Sequence, residues 1–336
     1  MIQNLLSSTP GLANFAIFFL LTTVFLLVVL GFVTYGILAE RKVMGFMQMR
    51  HGPNQVGGRW GLLQTVADVL KLLLKEDIIP KAADRPLFIL APVIAFAPSF
   101  MVLAAIPFTD AFQFADIGVG LLYYIAVSGL TTFGILIGSW GSNNKYALLG
   151  GMRAAAQMIS YEIPLVMSVL GIILLTGSLN LNDIVDAQKN GWYIILQPIG
   201  FLVFLVASVA ELNRVPFDLP EGESEIISGY HIEYSGFRWA FFMLAEYVYM
   251  FGMAALTTVL FLGGWLPPLE ILNFIPGAVW FSLKFSLIIF ILIWFRSTFP
   301  RFRADKLMEF GWKVLLPVAL ANVFLTALIK ELLELF

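Results

Sequence analysis

Four ionisable residues stand where hydrocarbon should exclude them: Glu162, Glu211, Glu246 and Lys284. Each lies in, or at the end of, an apolar run of membrane length. A charge at the bilayer centre costs at least ~2.5–3.5 kcal/mol on insertion scales, so such groups face a polar interior. Glu162 has Pro164 two residues on, in "AAAQMISYEIPL". A proline in a span frees a backbone carbonyl that needs water or a polar partner. Two roles fit these residues. They pair with one another and hold helices together, or they relay protons.

A second acidic group follows at once. "ELNRVPFDLPEGESE" sets Glu211, Asp218, Glu221, Glu223 and Glu225 around a single base, Arg214. Crowded carboxylates cannot all ionise cheaply, so some pKa values rise and their titrations couple. Such a cluster exchanges protons near neutral pH. The ordinary fate of a charge run is a solvated loop. Pro216, Phe217, Leu219 and Pro220 argue for packing instead, and "IISGYHIEYSGFRWAFF" continues apolar. We expect a re-entrant acidic loop over 211–238.

The surrounding chain must supply a membrane scaffold. Of 336 residues, 60% are hydrophobic and 12% charged, against about 25% charged in soluble domains. We expect an all-α integral membrane protein, a single polytopic domain over 1–336. About 20 apolar residues cross a bilayer. Eight segments qualify as transmembrane helices: roughly 12–38, 87–107, 117–138, 148–175, 193–210, 239–262, 279–296 and 311–330. The N-terminal "MIQNLLSSTPGLANF" has no basic region before its apolar run, so no cleaved leader is expected.

Lys and Arg orient the spans. With the loop after span 1 in the cytoplasm, only Lys189 and Lys330 lie opposite and Lys284 lies within a span; the rest of the 20 bases face the cytoplasm. Positive charge stays inside. Both termini are then expected outside, with cytoplasmic loops at 39–86, 211–238 and 297–310. Within the first loop, Gln64, Asp68, Lys71 and Lys75 share one face of a segment spanning 60–77. The opposite face is apolar, so this amphipathic helix should lie along the interface. It serves either as a surface anchor or as the floor of a cavity open to lipid.

Composition also excludes. There is no Cys, and the two His residues, His51 and His231, are far apart. Disulfides, thiolate-held iron–sulfur clusters, haem and His-rich metal sites are not expected. No glycine-rich nucleotide loop stands between a strand and a helix. A stand-alone ion or proton transporter would also use membrane acids and broken helices, but no inverted repeat is visible. A docking scaffold would use basic loops such as "FPRFRADK", but not acids inside spans.

Five stretches carry a resemblance: "ERKVMGFMQMRHGPNQVG" (40–57), "ADVLKLLLKEDIIP" (67–80), "SNNKYALLGGMRAAAQMISYEIPL" (142–165), "AELNRVPFDLPEGESEIISGYHIEYSG" (210–236) and "FRSTFPRFRADKLMEFGWK" (295–313). They resemble the membrane subunit called H in bacteria, and subunit 1 in mitochondria, of proton-pumping NADH:quinone oxidoreductase, respiratory complex I. The resemblance implies eight spans at the junction of the membrane and peripheral arms. It implies a quinone tunnel and the start of an acidic path toward the pumping subunits. The family's acidic path maps onto Glu162, Glu211, Asp218, Glu221, Glu223, Glu225 and Glu246. Its tunnel and interface residues map onto Glu40, Arg41, Arg50, Asp68, Lys71, Arg214, Arg296, Arg301 and Arg303. Ala67 stands beside Asp68 on the segment that the resemblance makes the helix at the quinone's mouth, which favours the cavity floor.

Lys284 joins the proton path on its position alone. Span 3 carries no acid, unlike some members of the family. The implied substrate is quinone. No cofactor is expected on this chain, the FMN and iron–sulfur clusters belonging to partner subunits. The implied partners are the other membrane-arm subunits, the soluble quinone-reducing subunits of the peripheral arm and the lipid bilayer, with no nucleic acid. The implied place is the bacterial plasma membrane. A nearer rival is the equivalent subunit of a complex fed by ferredoxin, F420 or hydrogen; "RHGPN" and "HIEYSG" lean toward the NADH enzyme.

Overall fold

Every regular element among the described residues is helical. The computed structural model describes residues 12–335 except 111 and 273, and not the side chains of 12, 13, 190, 223, 224, 270 and 333–335. The N-terminal leader question therefore falls mostly outside the described residues.

In chain order the helices are α1 Leu12–Met47, α2 Gln64–Leu74, α3 Arg85–Met101, α4 Gly120–Gly141, α5 Lys145–Thr176, α6 Leu181–Ala187, α7 Tyr193–Leu196, α8 Pro198–Glu211, α9 Glu223–Ile226, α10 Gly236–Phe261, α11 Gly277–Thr298, α12 Ala304–Phe310 and α13 Leu316–Leu335. A π-helical turn, Gly311–Leu315, joins the last two. The result is an all-α membrane protein. Among the described residues, seven helical segments are long and apolar enough to cross a bilayer.

Four elements depart most from the sequence expectation. The fifth expected span, 193–210, is instead the 14-residue helix α8 preceded by the single turn α7. The break has a local cause: Pro198 has no N–H to continue an α-helical ladder, and Gln197 before it leaves the helical region at φ −130°, ψ 53°. Helix α1 runs on to Met47, past the expected limit of 38. Charge marks where a membrane ends, not where a helix ends, and Glu40, Arg41 and Lys42 continue the helical ladder. The interfacial helix covers only 64–74 of the expected 60–77. The last segment starts at Ala304 rather than 311.

Helix α10 is the centre of the molecule, with 83% of its apolar window buried, against 11% for α1. Small residues bring its neighbours close. A Cβ at Gly134 of α4 would lie 2.5 Å from the Ala95 backbone nitrogen of α3, so the two helices touch backbone to backbone. Helix α5 opens on Asn144, whose side chain accepts from the Tyr146 N–H at 2.8 Å, and closes on left-handed Gly177 at φ 75°. It passes Pro164 without ending.

Candidate functional site

The 211–238 segment folds back into the body. Leu212, Arg214, Phe217, Asp218 and Leu219 are all buried. The turn is held by Gln157 of α5, itself fully buried. Its Nε2 donates to the carbonyls of Ala210 and Phe217, each at 2.7 Å, and lies 3.1 Å from Asn213 Oδ1. Two carbonyls take both amide hydrogens, which fixes the orientation of the amide. Asn213 adopts φ 52°, a left-handed turn that asparagine tolerates. The far side of the loop is pinned by Phe302, which stacks on Phe217 at 5.5 Å and donates its N–H to the Pro216 carbonyl at 3.1 Å.

This turn places Arg214 among acids from other regions of the chain. Its Nη1 donates to Glu40 Oε2 at 2.9 Å, and its Nε lies 2.9 Å from Glu246 Oε1. The guanidinium sits 4.6 Å over the Tyr247 ring. Arg296 reaches the other oxygen of Glu40. Two bases and two acids thus neutralise one another in the interior. Burial opposes the Arg214 charge, but Glu40 and Glu246 outweigh it and hold its pKa above the ordinary arginine value. Next to this group, Arg301 Nη2 donates to Asp218 Oδ2 at 2.6 Å.

Glu221 joins two small cavities. The first, about 70 Å³, is lined by Arg214, Asp218, Glu221, Glu246, Tyr247 and Arg296 among others. The second, about 50 Å³, is lined by Glu211, Glu221, Tyr230, Glu246 and Tyr249 among others. A water needs about 10–15 Å³ on this scale, so each has room for a few. Burial, and then the charges of Glu246 and Asp218, push the Glu221 carboxyl up to about 8, against the pull of Arg296 and Arg214. Glu211 accepts from the Tyr249 hydroxyl at 2.5 Å. Glu162 lies against α4, where a Cβ at Gly129 would come within 3.3 Å of its Oε1.

A third space opens at the surface beside α2. It measures about 340 Å³ and is lined by Arg41, Asp68, Lys71, Lys75, Tyr234, Trp239 and their neighbours. Arg41 Nη1 meets Asp68 Oδ2 at 2.5 Å across it. Ala67 is the half-buried neighbour of Asp68 on the same helix. The amphipathic segment therefore walls a groove.

Not every expected residue converges. Glu225 is exposed and pairs with Arg153 at 2.6 Å, away from the buried acids. The Glu223 side chain lies outside the described residues. Arg50 is exposed and bonds Gln48 at 2.7 Å; Arg303 is exposed and pairs with Asp305 at 2.9 Å. Lys284 is buried near the opposite end of α10, bonded to the carbonyls of Leu262, Gly264 and Leu266. Sequence reasoning missed Gln157, Tyr247 and Tyr249. The signal for Gln157 was present: an amide inside an alanine-rich membrane helix needs partners. Among the described residues no group of three or more His, Cys, Asp or Glu is placed to hold a metal.

A family model described as NADH dehydrogenase matches residues 20–327 of this chain. The chain belongs to the NADH dehydrogenase family. Over 332 residues it is 80% identical to the subunit called H of the NADH-quinone oxidoreductase of Anoxybacillus flavithermus, with 99% of each chain covered. It is 79% identical to proteins of the same name from Bacillus thuringiensis and Bacillus cereus, again over 99% of both chains. For this member of the NADH dehydrogenase family, the buried charges, the two small cavities and the surface groove now have a common setting in one membrane subunit.

Proposed function

We propose that this chain, a membrane subunit of an NADH-quinone oxidoreductase, forms the quinone-access passage and the first stretch of the path that couples quinone reduction to proton translocation. It works beside the other membrane-arm subunits and the soluble quinone-reducing subunits, in a bacterial plasma membrane. Eight crossings, with α7 and α8 together making the fifth, put both termini outside. FMN and the iron–sulfur clusters belong to the partners, and quinone is the substrate.

One observation supports this reading above the others. Glu40 and Arg41 are neighbours on α1 but serve different spaces. Arg41 lines the surface groove with Asp68, while Glu40 is buried between Arg214 and Arg296. A change at the groove is therefore felt one residue away, in the interior charge cluster. From there Glu246 and Glu221 line both small cavities, and Glu211 lines the second.

The sequence of events follows from charge. The quinone enters from lipid between α1, α2 and α10. Apolar side chains of α2 accept its tail, and Arg41 with Lys71 steers the headgroup toward the partner subunit. Reduction of the headgroup in the partner consumes protons with the electrons and changes the local field. Arg214 and Arg296 respond by altering their pairing with Glu40 and Glu246. That alters how readily Glu221 and then Glu211 hold a proton, and Glu162 passes the change onward. Lys284 lies off this line.

Two substitutions test the two halves separately in the assembled complex. Ala67→Trp adds bulk beside Asp68 of the groove wall and should raise the apparent quinone KM severalfold with little change in kcat. Glu211→Gln should depress quinone-coupled pumping while electron flow to artificial acceptors continues. Unchanged quinone dependence in the first removes the passage. Normal pumping in the second removes the acidic path.

A further inference from the structure

Lys284 has surroundings unlike those of any acid in the path. Its Nζ lies 2.5, 3.0 and 2.6 Å from the carbonyl oxygens of Leu262, Gly264 and Leu266. The fourth side is the Trp192 ring, 4.2 Å away. The residue is only 4% exposed. Three acceptors within bonding distance require three N–H donors, and only the ammonium form has three. Among the described residues no carboxylate pairs with it. The cation is met entirely by carbonyl dipoles and an aromatic face.

The backbone is shaped for this. Leu262 caps α10, and the C-terminal end of a helix presents unpaired carbonyls and the negative end of the dipole. Gly263 and Gly264 then take left-handed φ of 69° and 52° in succession. That turns the chain so that carbonyls two residues apart meet at one point. Side chains at these positions would collide: a Cβ on Gly263 would lie 3.0 Å from the Trp192 ring, and one on Gly264 would lie 2.9 Å from Val185. Rings of carbonyls with no counter-anion are how proteins strip a monovalent cation of its water.

We propose that the turn after α10 is a monovalent-cation site whose resident cation is the chain's own Lys284 ammonium. The ligand class is a primary ammonium or a potassium-sized ion. The tethered charge bolts α11 and the Trp192 segment to the far end of α10. Glu246 lies 16 residues before Leu262, about 24 Å along the helix. This site is therefore separate from the acid cluster and does not rest on the proposed proton path.

The test uses the purified complex with two variants. Lys284→Ala removes the cation and leaves a channel the length of its stem. Lys284→Met removes the cation but refills the stem. Both should shorten the half-life of the complex against heat by roughly tenfold. Butylammonium or potassium chloride should restore most of that for Lys284→Ala, sodium chloride at equal ionic strength less, and none of the three salts should restore Lys284→Met. Equal rescue of both variants by every salt would show a general ionic effect and overturn the site. A variant with wild-type heat stability that has lost proton pumping would overturn it too, and return Lys284 to the proton path.

Discussion

Glu40 holds two arginines, and its loss leaves both without their shared acid. Removing one partner of a buried ion pair costs about 3–5 kcal/mol. Glu40→Gln should therefore be read first as poor assembly, measured as the yield of intact complex. Arg41, one residue on, is a contrast. Its pair with Asp68 is partly exposed, and such pairs contribute about 0–1 kcal/mol. Arg41→Gln should assemble normally and raise the apparent quinone KM. Glu221 gives a pH signature. Its carboxyl is raised from 4.5 to about 8 in the folded protein. A raised pKa means the folded state binds the extra proton, so this contribution is present below about 4.5 and is lost as pH climbs through 8. Heat stability of the wild type should fall across that window, and Glu221→Gln should flatten the slope; parallel curves for the two proteins would count against it. The acids themselves are legible in the sequence, because a glutamate in an apolar run is conspicuous by type. Their partners are not. Glu40 meets bases 174 and 256 residues away, and no local pattern encodes such a pairing.

Helix α5 holds the turn at the start of the acidic loop through Gln157. Losing the Gln157 amide would leave two buried carbonyls unpaired, at about 1–3 kcal/mol each. Gln157→Leu should loosen 210–217 before it disturbs the spans. Hydrogen exchange across that stretch would rise while α4 and α10 stay protected. The α3–α4 contact sets a second limit. Gly134→Leu would force apart helices that meet at backbone distance, with a cost of roughly 1–3 kcal/mol or more, visible as a lower melting temperature. Membrane-length apolar runs are legible as elements because hydrocarbon imposes one length on them. Their ends are less so. A limit placed at the first charges stops α1 short, for the helix continues through them. The fifth span reads as whole, although "LQPIG" already holds the Pro198 that divides it. The short α2 shows its amphipathic face in the spacing of Asp68, Lys71 and Lys75. That the same face walls a groove follows only from the arrival of Tyr234 and Trp239 from far along the chain.

At the scale of the whole molecule, the proposed topology divides the charge by side. With no natural Cys in the chain, single introduced cysteines report on orientation cleanly. A cysteine replacing exposed Lys189 should react with a membrane-impermeant maleimide in intact cells. One replacing exposed Lys81 should react only after the membrane is opened. The reverse pattern would invert the topology. The lightly buried α1 bears on how the chain is made. It leaves the ribosome before the later helices, bringing Glu40 to the membrane edge with neither arginine yet synthesised. Only when translation has passed Arg296 does that glutamate acquire both of its arginines, so an early helix waits on a late one to be locked. Nascent chains stopped short of residue 296 should keep α1 open to crosslinking by the insertion machinery, and release it once the later arginine has emerged.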